Sequence, residues 1–526
     1  MKKIISILII ILLIIFSFGV QGFSKQDEDL KKQITPGDYF RFMIHDFRKP
    51  TNGYNIHNYQ HLSLDFTGEY LATYLGGSNG DGGFDVGITI DSFGNIFVVG
   101  TTDSDDFPVT TGAYDESYNG QTDIFIGKMD SELSTLIAAT YLGGSATEGV
   151  NCAITSDEDG NVFVIGYTAS SDFPVTSSAY DKTYNGGGDV FVSKFDNDLT
   201  TLLGSTYLGG SGVDAFRSEA SIFYINNLLY TAGMTSSRDF PTTINAYSQQ
   251  FNGGGGDAFV TLFTPDLSNI TASSYFGGNE NEEWAKIAVD DMNNVFIAGF
   301  TQSANLPTTP GSFDETYNAD DDAFIVKFNS DISNVIACSY FGGSRYDNIY
   351  CMNIDYQGNI LLGGHGDPGY PTTPGAYTRF AFLTGRPVVT KINNDLTTLI
   401  GSTFIRSAFK GGVCVSIDSD SEGNVYVSGY TRAILFPTTR NAFDKRYNGG
   451  VDIFVSVFNP TLSNLIFSTF IGGSSDDELG TGLAVKDTGI FYLGSGTTSL
   501  DLPMSSTAYD DTFNGVSDCC LFKITW

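Results

Sequence analysis

The stretch Thr73-Tyr74-Leu75-Gly76-Gly77-Ser78 decides the fold, because it returns, little altered, along the rest of the chain. Its aromatic position recurs at Tyr141, Tyr207, Tyr275, Tyr340, Phe404 and Phe470, in steps of 67, 66, 68, 65, 64 and 66 residues. A length of 526 residues would otherwise suggest several unrelated domains. Repetition near one period argues instead for a single repetitive body, a solenoid, propeller or array.

Working outward from the marker gives the grammar of one unit. Residues 86–91 read as a strand, Ser92-Phe93-Gly94-Asn95 as a turn and residues 95–101 as a second strand. A long loop follows, then a third strand at 123–129 and a fourth at 136–142, which ends in the marker. The Asp-x-x-Gly-Asn turn recurs at 157–161, 355–359 and 420–424, with Asn293 replacing glycine in the copy at 290–294. Glycine or asparagine supplies the positive φ that a tight hairpin requires. Apolar runs such as Ile96-Phe97-Val98-Val99 do not alternate, so the sheets are covered on both faces. Four-stranded units of this kind, repeated radially, are β-propeller blades.

First strands are expected to begin near Val86, Cys152, Glu219, Lys286, Cys351, Val413 and Gly482, which makes seven blades. The last unit stops after its third strand, Cys519 to Ile524, while the marker copy at Thr73 precedes any first strand. The two deficits match. The expected fold is all-β: one seven-bladed β-propeller over residues 64–526 with four-stranded blades, its ring closed by the N-terminal strand joining the C-terminal blade. Such closure removes open sheet edges.

Met1-Lys2-Lys3, an apolar run from Ile4 to about Val20 and then Gln21-Gly22 have the order of a secretory signal, so residues 1–22 are expected to be a cleaved leader. A retained membrane anchor is the competing reading. Residues 23–63 lack the repeat and read as a linker or cap. The formal charge of −33, from 60 acidic and 27 basic residues, repels nucleic acid and anionic lipid and suits solubility or cationic partners. Of six cysteines, Cys152, Cys351 and Cys414 fall in one kind of strand, Cys338 in another and Cys519-Cys520 in a third, where sister repeats carry apolar residues. They read as small buried hydrophobes. Without a Cys-x-x-Cys pair, a structural zinc site is not expected.

The repeat resembles the SBBP family of bacterial seven-bladed β-propeller repeats. The resemblance rests on Asp123-Ile124-Phe125 and Lys128, on Thr73 to Ser78, on the turn Asp91 to Asn95, and on Asp106-Phe107-Pro108-Val109-Thr110 with Ala113-Tyr114. It implies a secreted or cell-surface protein and no established enzymatic activity.

Two classes of loop emerge on one face of such a ring. The long loop carries Phe107-Pro108, Phe173-Pro174, Phe240-Pro241 and Phe436-Pro437, which are expected to plug each loop onto its own blade. The connection after the marker is acidic, and Asp81, Asp85, Asp214, Asp347, Asp476 and Asp477 are candidate ligands for calcium if they converge on the channel mouth. The simpler reading is that each acid bonds backbone amides in its own turn. Asp418-x-Asp420-x-Glu422-Gly423 opens like a calcium loop but has Gly429 where the distal glutamate belongs, so it reads as a hairpin turn.

Blade 5 departs from the pattern. It reads His365-Gly366-Asp367-Pro368, then Arg379 and Arg386, and the next marker is broken at Phe404-Ile405-Arg406-Ser407 with Lys410 beyond. His365, Asp367, Arg379, Arg386, Arg406 and Lys410 are therefore the candidate ligand-binding residues, with guanidinium groups suited to an anion or carboxylate. The same residues could equally form salt bridges to acidic neighbours. The other histidines, His45, His57 and His61, precede the repeats, and neither a zinc-protease helix nor a nucleophile elbow is present.

The sequence thus leans to a secreted or cell-surface, non-catalytic, monomeric propeller that binds an extracellular protein or carbohydrate through its loop face. It leans away from an enzyme, with calcium as the one cofactor considered. An extracellular polysaccharide hydrolase or lyase, and a structural spacer, are the alternatives.

Overall fold

A computed structural model describes residues 67–526 apart from 84–85, 150–151, 216–219, 319, 382–384, 407–410 and 478. The second of the two units into which the chain divides, His61–Trp526, holds all of the described residues. The leader and linker expected over 1–22 and 23–63 lie outside the described residues.

Seven four-stranded antiparallel sheets make up the second unit. Their inner strands are Gly87–Ile90, Ala153–Ser156, Ser221–Ile225, Glu282–Val289, Asn348–Ile354, Gly412–Ser419 and Leu479–Asp487. Each inner strand packs on the next, and the last returns to the first, so the ring is closed. Blade 7 takes its outer strand from the start of the ring: Tyr70–Leu75 pairs antiparallel with Asp518–Thr525, with Tyr70 opposite Ile524 and Leu75 opposite Cys519. The marker copy without a blade of its own is the closing strand.

Burial explains why these sequences make blades. Ile96, Phe97, Val98 and Val99 are all fully buried, because the sheet is covered on both faces by neighbouring blades. The marker tyrosine is buried at the end of the outer strand and bonds the long loop. The Tyr141 hydroxyl donates to the Ser104 carbonyl at 2.8 Å and accepts the Phe107 N–H at 3.1 Å. Tyr207, Tyr275 and Tyr340 repeat the donation to Ser170, Ser237 and Ser303. The Asp-x-x-Gly-Asn turns are turns: Asp91 accepts the N–H groups of Phe93 and Asn95, and Gly94 has φ +85°. Asp420 does the same for Glu422 and Asn424, as the hairpin reading expects.

The long loops do more than plug their own blades. Phe107 stacks on Phe125 of its own sheet at 4.5 Å, as expected. Tyr114, further along the same loop, crosses to blade 2, where its N–H donates to the Leu199 carbonyl and its ring lies 5.5 Å from that of Phe195. Along the same loop Thr110 and Asp115 bond Ala139 and Tyr141 through the backbone, so the loop covers the edge of the outer strand. All six cysteines are buried and none forms a disulfide; five lie in strands and Cys152 immediately precedes one.

Candidate functional site at the channel mouth

Sevenfold regularity breaks on the inner strands. Those of blades 4 to 7 begin earlier than the sequence suggests, and each carries a register shift: between Glu283 and Lys286, Ile349 and Cys351, Cys414 and Ser416, and Leu479 and Thr481. A bulge adds a residue to one strand and re-aims its side chain. The bulges of blades 4, 5 and 6 contain Trp284, Tyr350 and Val415. Glycine on the adjoining strand makes room for them. A Cβ at Gly299 would lie 2.4 Å from the Glu283 carbonyl oxygen, and one at Gly364 would lie 1.9 Å from that of Asn348.

Inner strands start, and second strands end, on the face where the long loops leave the blades. That face therefore gathers a cluster at blades 4 to 6. Trp284 packs edge-on against Tyr350 with ring centroids 5.1 Å apart, and His365 lies 5.5 Å from Tyr350 on its other strand. Phe300 adds a further edge contact at 6.5 Å. Trp284 has φ +60°, the left-handed region that a bulky side chain rarely adopts. Asn348 donates from Nδ2 to the Tyr350 hydroxyl, while its buried Oδ1 has no hydrogen-bond partner.

The electrostatics of this cluster are acidic. Burial pushes the Glu283 carboxyl up, and the Asp321 charge adds to the push. Burial pulls His365 down, against Asp367 and Asp321, so its imidazole is held toward the neutral form. Burial also pushes the Tyr350 phenol up to about 12, with Tyr430, Asp321 and Glu283 contributing. Asp321 accepts a hydrogen bond from the Gln302 amide at 3.0 Å. Below the mouth, further along the inner strands, the channel holds a cavity of about 180 Å³ whose lining includes Ile88, Ile154 and the charged Lys286.

Of the candidate ligand residues, His365 alone joins this cluster by a ring contact. Asp367 is buried in its turn, where its N–H donates to Asp347 and its Oδ1 accepts the Gly385 N–H. Arg386 is buried at the start of the third strand, where burial lowers its pKa. Arg379 is exposed on the long loop with its guanidinium 5.7 Å from the Phe380 ring. Arg406 is exposed and acts on Tyr377, a different neighbourhood. Lys410 lies outside the described residues.

Four of the acidic connections bond nearby amides and hydroxyls. Asp81 accepts the Gly77 N–H and the Thr102 and Ser104 hydroxyls. Asp214 and Asp477 repeat this set in their blades, and Asp347 accepts the N–H groups of Gly343 and Asp367. Asp476 is exposed, and Asp85 lies outside the described residues. Among the described residues, no group of three or more His, Cys, Asp or Glu is placed to hold a metal ion. Asp81, Asp214, Asp347 and Asp477 each face a second acid. Asp123, Asp189, Asp257, Asp322 and Asp452 each keep a buried Oδ1 without a hydrogen-bond partner. Each is pressed by the acid of the next connection, Glu148, Asp214, Glu282, Asp347 or Asp477.

Sequence reading missed Trp284, Asn348, Tyr350 and Asp321. Two signals were available. One is the position before the last residue of the second strand, which runs Thr101, Tyr167, Met234, Phe300, His365, Tyr430 and Gly496 and so gives blades 2 to 6 a large side chain there. The other is that one of only two tryptophans sits beside an acidic pair at a blade start.

Comparison with known proteins agrees with the fold. The family described as a beta-propeller repeat, SBBP, matches residues 72–108. No curated protein sequence matches the chain. Among solved structures, an ulvan lyase described as a new polysaccharide lyase family is 8% identical, covers 80% of this chain and 92% of its own, and has a TM-score of 0.44. An α-L-arabinofuranosidase from Fusarium graminearum is 11% identical, covering 68% of this chain and 92% of its own at a TM-score of 0.38. An α-L-arabinanase from Penicillium chrysogenum is 9% identical, covering 86% and 98% at a TM-score of 0.36. The chain is thus a β-propeller similar, at low identity, to carbohydrate-active propellers.

One expectation is corrected by this comparison. Leaning away from an enzyme relied on missing linear motifs, yet lyases and glycosidases recur among the similar propellers. A propeller mouth draws its residues from several blades, so no contiguous motif has to exist. Among the described residues, no helix is long and apolar enough to cross a membrane.

Proposed function

We propose that the protein acts on an extracellular polysaccharide and that its channel mouth at blades 4 to 6 hydrolyses a glycosidic bond. The observation that supports this is the grouping of Glu283 and Asp321 beside the rings of Trp284 and Tyr350. Glycoside hydrolysis uses one carboxyl that keeps its proton and a second that is ionised. Glu283, pushed up by burial and by Asp321, fits the acid that protonates the leaving oxygen. Asp321, part-exposed and hydrogen-bonded by Gln302, fits the carboxylate that activates water or attacks the sugar. A neutral His365 adds a hydrogen-bonding group without adding charge. An extracellular place accords with the leader-like order of residues 1–22.

A second reading has its own observation. The neutral imidazole of His365 lies against the Tyr350 ring, and such a pair could remove and return the protons of an elimination. One experiment separates the two. The purified protein is incubated with arabinan, xylan, β-glucan, polygalacturonate and ulvan, and both new reducing ends and ultraviolet-absorbing unsaturated ends are recorded. Reducing ends alone, lost in Glu283→Gln, support hydrolysis. Unsaturated ends lost in His365→Ala support elimination. Saturable binding with neither product would return the mouth to ligand binding.

A further inference from the structure

The acid chemistry proposed above leaves three features of the mouth unused. The first is the backbone of Trp284. A bulky residue at φ +60° is strained and persists only where its surroundings hold it there. Here the holding elements are the bulge between Glu283 and Lys286 and the bare Cα of Gly299, whose Cβ would lie 3.1 Å from the Trp284 carbonyl oxygen. The second is the side chain. The indole is not packed into a core cluster; it stays part-exposed, with its edge against Tyr350. The third is Asn348, 6% exposed, whose Nδ2 is committed to the Tyr350 hydroxyl while Oδ1 is left without a partner. Burying an amide oxygen without a hydrogen bond is unfavourable. A bound hydroxyl would satisfy it.

We infer that Trp284, Tyr350 and Asn348 form a sugar-binding subsite for an uncharged glycosyl unit. The indole offers an apolar face to one face of a pyranose or furanose ring. Asn348 Oδ1 accepts a hydrogen bond from a ring hydroxyl, and Tyr350 fixes the amide that does so. Bulges in two adjoining blades carry Trp284 and Tyr350, so the indole packs against the ring whose hydroxyl holds the Asn348 amide. The charge of the sugar follows from the neighbours. The charges that press on Glu283 and His365 come from Asp321 and Asp367, while Lys286 lines the cavity below. A uronate or sulfated unit would be repelled there, in a chain of formal charge −33, whereas a neutral hexosyl or pentosyl unit would not.

This inference rests on the mouth being a glycan site but not on which reaction occurs there, so it is tested by binding rather than turnover. The chain has two tryptophans, and the other, Trp526, is stacked on Phe467 at 5.4 Å. Fluorescence of the Glu283→Gln protein is titrated with arabinotetraose, xylotetraose, cellotetraose and tetragalacturonate. A neutral oligosaccharide is expected to quench or shift Trp284 emission saturably, and Trp284→Phe is expected to abolish the signal. By calorimetry, Trp284→Ala and Asn348→Leu should each weaken binding about tenfold, the loss of roughly 1.4 kcal/mol. Unchanged circular dichroism and melting would show that these variants are folded. Binding that survives both substitutions overturns the subsite even if turnover stands. Preference for tetragalacturonate, or binding by none of the four, overturns it as well. Turnover lost in Glu283→Gln while binding persists in the same variant separates the acid role from the subsite.

Discussion

Replacing Asp123 by asparagine tests the buried acid pairs that recur through the ring. Asp123 is fully buried, its Oδ2 accepts the Asn119 N–H at 2.8 Å, and its Oδ1 has no partner. Burial first, then Glu148 and Asp115, push its pKa from 3.8 up to about 7. A carboxyl whose pKa is raised on folding binds a proton more tightly in the folded state. Its contribution to stability is therefore complete below about pH 4 and is lost as the pH rises to about 7. At roughly 1.4 kcal/mol per pH unit the ceiling is about 4 kcal/mol, and sharing between two coupled acids makes about 2–4 kcal/mol the working range. Asparagine keeps the shape of the protonated acid and cannot ionise. For the unit His61–Trp526, an unfolding entropy of about 2.1 cal/mol/K per residue makes 1 kcal/mol worth about 1 °C. Asp123→Asn should thus raise the melting temperature by about 2–4 °C at pH 8 and change it little at pH 5. Scanning calorimetry at both pH values, with and without chelator, decides the matter. A variant that melts lower at pH 8, and only when calcium is present, would refute the shared-proton account and show the ionised carboxylate holding a cation.

Other outcomes follow from the packing. Removing residues 67–78 takes away the outer strand of blade 7 and, with Tyr74, the hydroxyl that donates to the Ser499 carbonyl; the ring should lose its single cooperative melt and aggregate through the exposed edge, as light scattering would record. Tyr141→Phe deletes a buried hydroxyl that makes two hydrogen bonds to the long loop and should cost about 1–3 kcal/mol in chemical denaturation, with faster proteolysis in that loop. Gly364→Ala places a Cβ 1.9 Å from the Asn348 carbonyl oxygen, so it should disturb the mouth and abolish glycan binding. Tyrosine fluorescence and near-ultraviolet dichroism would report that change.

Most of the architecture is legible in the sequence because it depends on local rules repeated seven times. Tyr141, Phe107 and the turn from Asp91 to Asn95 each do one job in one blade, and their spacing alone gives strands, turns and ring closure. The mouth follows different physics. Trp284, Asn348 and His365 belong to three strands of two blades and Asp321 to the loop before a fourth, and the bulges that carry Trp284 and Tyr350 are announced by no residue pattern. His365 stands out in the sequence as an irregularity, but Arg379 and Arg406, irregular in the same region, point elsewhere. Departure from a repeat thus marks a sector of the ring; which departures converge depends on the side of the strand each occupies. The acidic connections show the converse. Their regularity suggests a ring of ligands, while Asp81, Asp214 and Asp477 each accept one amide and two hydroxyls close by.

The most direct test of the central claim is the turnover of Glu283→Gln beside the wild type on whichever polysaccharide of the panel is cleaved. The account predicts a folded variant with unchanged melting, retained oligosaccharide binding and a kcat lowered by about 100-fold or more, the usual size of a lost general acid. A Glu283→Gln protein that releases reducing ends at the wild-type rate would contradict it.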